Sequence, residues 1–122
     1  MKQIYGIDLG TTHSCIARLN QGRPEVIPID DSPVVPSVVS FDARETIVGQ
    51  RAKNRSLLYP EQTVSSIKRK MGSEETVTVN SRSLTPEDVS AFILEYMKNK
   101  AEESCAAPVR DVVITVPAYF SD

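Results

Sequence analysis

The chain has 122 residues, 40% of them hydrophobic and 25% charged, and its 14 basic and 16 acidic side chains leave a formal charge of −2. This is one domain's worth of chain at most, and its ordinary globular composition excludes a collagen, a disordered tail and a disulfide scaffold. Near-neutral charge without a basic block argues against nucleic acid as a partner, and no apolar run is long enough to cross a bilayer.

The opening residues Met1-Lys2-Gln3 lead directly into a strand pattern, so no secretory signal is expected. Ile4-Tyr5-Gly6-Ile7-Asp8-Leu9 reads as a first strand closed by Gly10-Thr11-Thr12, and residues 14–19 as a second. Asn20-Gln21-Gly22-Arg23 is a hairpin turn, and residues 25–29 form a third strand that Pro28 confines to an edge or ends. Residues 30–36 read as a loop, punctuated by Pro33 and Pro36. Short strands are expected over residues 37–41 and 45–48, then helix formers over 49–58. A second helix is expected over residues 63–71 with Gly72 as its C-cap, and a small hairpin around Asn80-Ser81-Arg82.

The strongest helix signal starts at Thr85-Pro86-Glu87-Asp88, with an N-cap hydroxyl, Pro at the first helical position and acids in the first turn. Val89, Phe92, Ile93, Tyr96, Met97 and Ala101 then recur at helical spacing as a core-facing stripe, and Pro108 stops the helix. Val112-Val113-Ile114-Thr115-Val116 is apolar on both faces and is expected to be a central, buried strand. Reached through a helix, it should run parallel to its partner. No segment after it is seen to cover its second face, so the chain is expected to be part of a larger domain. Cys15 and Cys105 belong to no CxxC or Cys/His cluster and read as reduced thiols rather than a disulfide or a zinc site.

The chemistry concentrates in Ile7-Asp8-Leu9-Gly10-Thr11-Thr12. A strand delivers a carboxylate, a glycine permits close backbone approach, and two hydroxyls follow. Backbone N–H groups in such a turn can cradle phosphate oxygens. A carboxylate beside phosphates is repelled unless a cation stands between them, which points to half of a Mg-nucleotide site. Neither a P-loop nor a dinucleotide fingerprint is present. On these six residues alone a plain polar β-turn is an equal alternative. An ionisable group at the end of a core strand tilts the reading toward function, because burying it needs a reason.

Ile4 to Ala17, reading IYGIDLGTTHSCIA, resembles the first phosphate motif of the DnaK-type heat-shock chaperones, members of the actin-like ATPase superfamily. Three further segments agree in order: Pro36 to Phe41 with Val48 to Lys53, Ser66-Ile67-Lys68-Arg69, and VITVPAYF from Val113 to Phe120. The resemblance spans the whole chain. It implies an α/β fold of the ribonuclease-H-like, actin-like ATPase type. Residues 1–122 would supply part of the first lobe of a nucleotide-binding domain, with residues 30–84 as a small mixed insertion subdomain. The rest of that domain and the peptide-binding domain would lie outside this chain.

By the same resemblance, Asp8 is the carboxylate that holds Mg²⁺ through water, and Gly10, Thr11, Thr12 and His13 contact phosphate. Lys68 is the catalytic lysine, Arg69 lies on the adenine side, and Pro117 relays nucleotide state between domains. From residues alone, Lys68 reads as a solvated helix lysine and Pro117 as a strand terminator. The implied activity is hydrolysis of ATP to ADP and phosphate by an ATP-dependent, cytoplasmic, bacterial chaperone, the isolated chain being inactive. Implied partners are unfolded client peptides, a J-domain co-chaperone and a nucleotide exchange factor, with no membrane or nucleic acid. His13 departs from the usual Asn or Tyr, Ser121 from the usual Asn, and the stretch between Met71 and Val89 is shorter than in many members, as in Gram-positive-type ones. A sugar or metabolite kinase of the same superfamily would share the first strand but not the closing AYF. A non-enzymatic binding module using the insertion surface is a third reading.

Overall fold

The structure, a computed structural model, describes residues 3–65, 77–79 and 82–115. Strands β1 (Ile4–Leu9), β2 (His13–Asn20) and β3 (Arg23–Val26) form the expected antiparallel meander. Gln21 and Gly22 close the β2–β3 hairpin with φ of 54° and 80°. Such a turn twists in the sense that paired strands require. The third strand is shorter than expected. Ile27 still donates its N–H to the Ile16 carbonyl at 2.9 Å, and Pro28 then has no N–H to give.

The expected loop over residues 30–36 hides a two-residue strand, β4 (Val35–Pro36), paired antiparallel with His13 and Ser14 of β2. The chain then enters a second, three-stranded sheet in the order β6-β5-β7: β5 (Val38–Phe41), β6 (Thr46–Val48) and β7 (Thr63–Ser65). Helix α1 (Gln50–Arg55) and a 3-10 turn (Pro60–Gln62) connect β6 to β7. The helix expected over residues 63–71 is therefore wrong at its start, and residues 66–71 and Gly72 lie outside the described residues. β-branched Thr63 and Val64 pair with β5, Val64 is buried, and the Thr63 hydroxyl meets that of Ser40 at 3.0 Å. Cross-strand pairing overrides the weak helical spacing. Arg55 ties α1 to this sheet: its Nε donates to Ser40 Oγ at 2.9 Å, and its guanidinium lies 4.5 Å from the Tyr59 ring centroid. Strands β8 (Val77–Val79) and β9 (Arg82–Leu84) form the expected small hairpin.

Helix α2 (Pro86–Cys105) starts with a complete capping box: the Asp88 N–H donates to the Thr85 hydroxyl at 3.1 Å and the Thr85 N–H to the Asp88 carboxylate at 3.0 Å. Its stripe of Val89, Ile93, Met97 and Ala101 is fully buried in one cluster with Tyr5, Ile7, Leu9 and Ile16. Phe92 and Tyr96 flank it half-buried, Phe92 edge-on to Phe41 at 5.4 Å. Ala106 ends the helix in the left-handed region, and the Val109 N–H donates to Glu102 at 2.8 Å.

Strand β10 (Asp111–Thr115) runs parallel to β1, as the helical crossover requires. Among the described residues it is not central: the main sheet has the order β10-β1-β2-β3, which leaves β10 on an outer edge, and Val113 is 63% exposed. Its two apolar faces misled the sequence reading, because among the described residues only β1 pairs with it. Val116 lies outside the described residues. Cys15 and Cys105 are free, half-buried thiols. No helix among the described residues is long and apolar enough to cross a membrane. The fold is mixed α/β.

The turn after Ile29 is locked to α2 from one side. Asp30 and Asp31 both adopt positive φ, and Asp30 accepts the Tyr96 phenolic proton while Lys100 Nζ lies 3.8 Å from its carboxylate. Burial first, then the hydrogen bond and charge of Asp30, push the Tyr96 phenol above its ordinary value. A phenol raised in the folded state stabilises the fold below its unfolded pKa of about 10, and that stability is lost as pH climbs through the folded value. Tyr96→Phe is therefore expected to cost about 1 kcal/mol at neutral pH. The gap between wild type and variant should close above about pH 10. Denaturant titrations at neutral and alkaline pH check this; a gap independent of pH would show that the phenol contributes by shape alone.

Candidate functional site

The alternation of β1 decides where its carboxylate goes. Tyr5, Ile7 and Leu9 face the core, and Ile4, Gly6 and Asp8 face the opposite side. Asp8 is thus exposed near the carboxyl end of a central strand, beside Cys15 of β2 and Thr115 of β10. This corrects the expectation that burial explains the residue: the uncovered face of the sheet solvates it. Asp8 has no hydrogen-bond or ion-pair partner among the described residues. Carboxyl ends of strands in open α/β sheets are where ligands commonly bind.

Residues 10–13 connect β1 to β2 as a tight turn. A Cβ on Gly10 would lie 2.1 Å from the His13 carbonyl oxygen, so only glycine fits there. Three hydrogen bonds hold the inner side of the turn. The Gly10 N–H donates to Ser14 Oγ at 3.3 Å, the Ser37 hydroxyl donates to the Gly10 carbonyl at 2.9 Å, and the Ser37 N–H donates to the Thr12 carbonyl at 2.8 Å. Ser14 Oγ and Ser37 Oγ are themselves 2.8 Å apart, and both residues are buried. The outer side is different. Among the described residues, the N–H groups and hydroxyls of Thr11 and Thr12 have no hydrogen-bond partner. Four donors beside an unpaired carboxylate form an arrangement able to receive an anion together with a cation.

Thr11 and Thr12 line a groove of about 220 Å³ with Ser37, Lys53, Ser56 and Ser65 among its walls. It is rich in hydroxyls, and among the described residues its one formal charge is the ammonium of Lys53. His13 is exposed at the start of β2 and opens instead onto a separate hollow of about 140 Å³ with Asp30 and Gln50. The structure places Asp8 near the end of β1 and Gly10, Thr11 and Thr12 on the turn that follows, with Thr11 and Thr12 on one hollow and His13 on another. Lys68, Arg69 and Pro117 lie outside the described residues. A larger hollow, about 530 Å³, lies elsewhere, at the β5–β6 hairpin.

Sequence reasoning missed Ser14, Ser37 and Lys53. Ser37 carried a signal: it is a polar residue between the apolar stretches Val34-Val35-Pro36 and Val38-Val39. A buried hydroxyl there must find a partner. Lys53 carried none, because nothing local distinguishes it from a solvated helix lysine.

The family model described as Hsp70 protein matches residues 4–80 and 73–122. The two matches meet inside the stretch where the chain is expected to run short. Among curated proteins, the chain is 50% identical over 120 residues to the chaperone protein DnaK of one strain of Ureaplasma parvum serovar 3, covering 98% of this chain and 20% of the relative. The chaperone protein DnaK of a second strain of the same serovar matches equally, at 50% identity over the same lengths. The chain thus spans about a fifth of the length of the curated relatives it matches. With matches that run over nearly every residue, the chain belongs to the Hsp70 family.

Proposed function

We propose that the intact protein is an ATP-dependent chaperone of the bacterial cytoplasm that assists protein folding. This chain is part of its ATP-binding and hydrolysing domain, with residues 30–84 as an insertion subdomain. The observation that carries the reading is the turn after β1: four donors and a carboxylate without partners among the described residues, in a chain of the Hsp70 family. A sugar or metabolite kinase would also use a strand-borne carboxylate and turn, but the family match and the two DnaK relatives favour the chaperone.

In this reading Thr11 and Thr12 donate their N–H groups and hydroxyls to phosphate oxygens, and Gly10 lets the backbone come close. Asp8 would hold Mg²⁺ through water. Its surroundings fit that ion: a lone, exposed carboxylate suits a metal that keeps several waters and is bound by one or two carboxylates plus phosphates. Among the described residues, no group of three or more His, Cys, Asp or Glu forms a metal cage. When bound, the ion would neutralise charge on the phosphates. Water attacks the γ-phosphoryl group in line, and the protein's part is positioning and charge stabilisation. Lys68 carries a positive charge toward the γ-phosphate and the attacking water, Arg69 serves the adenine side, His13 the edge of the phosphate site, and Pro117 the relay to the peptide-binding domain. Client peptides, a J-domain co-chaperone and an exchange factor are the partners.

The groove of about 220 Å³ is smaller than the roughly 300–1,000 Å³ of a typical ligand pocket, so this chain grips a nucleotide from one side only. Alone it is inactive.

Calorimetry and turnover assays on the full-length protein test the reading. Gly10→Ala is expected to weaken ATP binding about a hundredfold or more, because the clash is with backbone and the turn must move. Lys68→Ala should abolish hydrolysis while leaving ATP affinity within about threefold, the split expected of a group acting only in the transition state. Asp8→Asn should raise the magnesium concentration needed for half-maximal turnover. Normal ATP affinity in Gly10→Ala would remove the turn from the site, and unchanged turnover in Lys68→Ala would remove the lysine from its role.

A further inference from the structure

The two buried serines behind the turn form a directed circuit. Ser37 has one hydroxyl proton, and the Gly10 carbonyl, which can only accept, takes it. Ser14 must then be the donor in the 2.8 Å contact between the hydroxyls, while its own oxygen accepts the Gly10 N–H. The path runs from the Gly10 N–H to Ser14, from Ser14 to Ser37, and from Ser37 back to the Gly10 carbonyl. It starts and ends on one residue, and every polar atom in it is used. Neither side chain faces the groove with a free proton.

The consequence follows from peptide geometry. In a planar trans peptide the C=O and N–H point in opposite directions. Anchoring the Gly10 carbonyl inward on Ser37 therefore turns the Thr11 N–H outward. The Ser37 N–H holds the Thr12 carbonyl inward in the same way. Two oxygens that would repel an anion are thereby held away from it, and their dipoles cannot flip toward the ligand. Ser37 is also the single residue between β4 and β5, so the second sheet is pinned to the turn at this point.

We propose that Ser14 and Ser37 are positioning residues that preorganise the turn for the β- and γ-phosphates of the nucleotide. They act through Gly10 and Thr12 and touch no ligand. This inference rests on the reading of the turn as a phosphate site.

The test uses the full-length protein, ATP and adenosine as probes, and the variants Ser14→Ala, Ser37→Ala, the double variant, and Thr11→Ala as a reference. Loss of one link is expected to weaken ATP binding about tenfold, with adenosine affinity unchanged. The double variant should lose little more than either single one, since both serines serve one circuit. Equal losses for ATP and adenosine would mean a merely structural role and overturn the proposal. So would losses that multiply in the double variant. If Thr11→Ala weakens ATP binding while Ser14→Ala and Ser37→Ala do not, the positioning role fails and the phosphate reading stands. If none of the variants affects ATP binding, the phosphate reading itself fails, and this inference with it. Should Ser37→Ala not fold, Ser14→Ala alone decides by the same ATP-to-adenosine comparison.

Discussion

Strand β1 meets two opposed demands with six residues. Its odd-numbered side chains Tyr5, Ile7 and Leu9 must be buried under α2, and its carboxylate must stay in water. Period-two alternation satisfies both without any special device, because every second residue turns to the uncovered face. The arrangement depends on a helix that covers one side only. The α2 stripe of Val89, Ile93, Met97 and Ala101 is narrow, and each of these side chains is wholly withdrawn from solvent. Fully burying an aliphatic side chain of this size contributes roughly 1.5–3 kcal/mol, which outweighs any single polar contact on the surface. A one-residue slip of β1 would invert the pattern, placing Asp8 in the core and Ile7 in water. The packing of α2 therefore sets the register, and the register delivers the carboxylate.

Beyond Leu9 the constraint changes from hydrophobic to steric and polar. Gly10 is required because the His13 carbonyl occupies the place of a side chain. A backbone drawn in so tightly leaves carbonyl and N–H groups that must be satisfied. Ser14 and Ser37 satisfy them from below. A buried hydroxyl left without a partner costs about 1–3 kcal/mol, so the pair is stable only as a complete set. The same bonds explain why the second sheet sits where it does. β4 adds to β2, Ser37 turns the chain, and β5 begins the new sheet, so the second sheet grows out of the turn. Arg55 then fastens α1 to that sheet through Ser40 and Tyr59. The apolar cluster is continuous across both sheets, with Phe41, Val48 and Val64 in the same group as Tyr5 and Ile7.

Much of this was legible in the residues. The meander, the two short strands within residues 37–48, the N-cap at Thr85 and the parallel crossover to β10 all rest on local rules, and the structure follows them. The misses have a common cause. Whether residues 63–65 become helix or strand depends on β5, which lies more than twenty residues away in sequence. Val112, Val113 and Ile114 read as central because composition reports both faces of a strand but not how many neighbours it has. The turn itself was legible as Asp8, Gly10, Thr11 and Thr12. The hydroxyl pair that holds it was not, since Ser14 and Ser37 meet only through the pairing of β2 with β4. Burial of Asp8 was inferred from its apolar neighbours in sequence, although alternation places those neighbours on the other face.

Two carboxylates in the molecule show how surroundings separate structure from chemistry. Asp42 lines the hollow of about 530 Å³, yet its Oδ1 accepts the N–H groups of Arg44 at 2.7 Å and Glu45 at 2.8 Å. Those bonds, Arg44's first, hold its carboxyl below the ordinary value. Its negative charge is already committed to shaping the hairpin, so volume there carries no ligand chemistry. The Asp8 side chain has no such commitment among the described residues. Among the described residues Thr11 and Thr12 likewise have no partner for their donors, while Gly10 spends its own N–H and carbonyl inward. A site for a charged ligand must hold unspent donors and acceptors in a frame whose other polar groups are fully used. By that criterion the turn after β1 suits a charged ligand better than the hollow at the β5–β6 hairpin does.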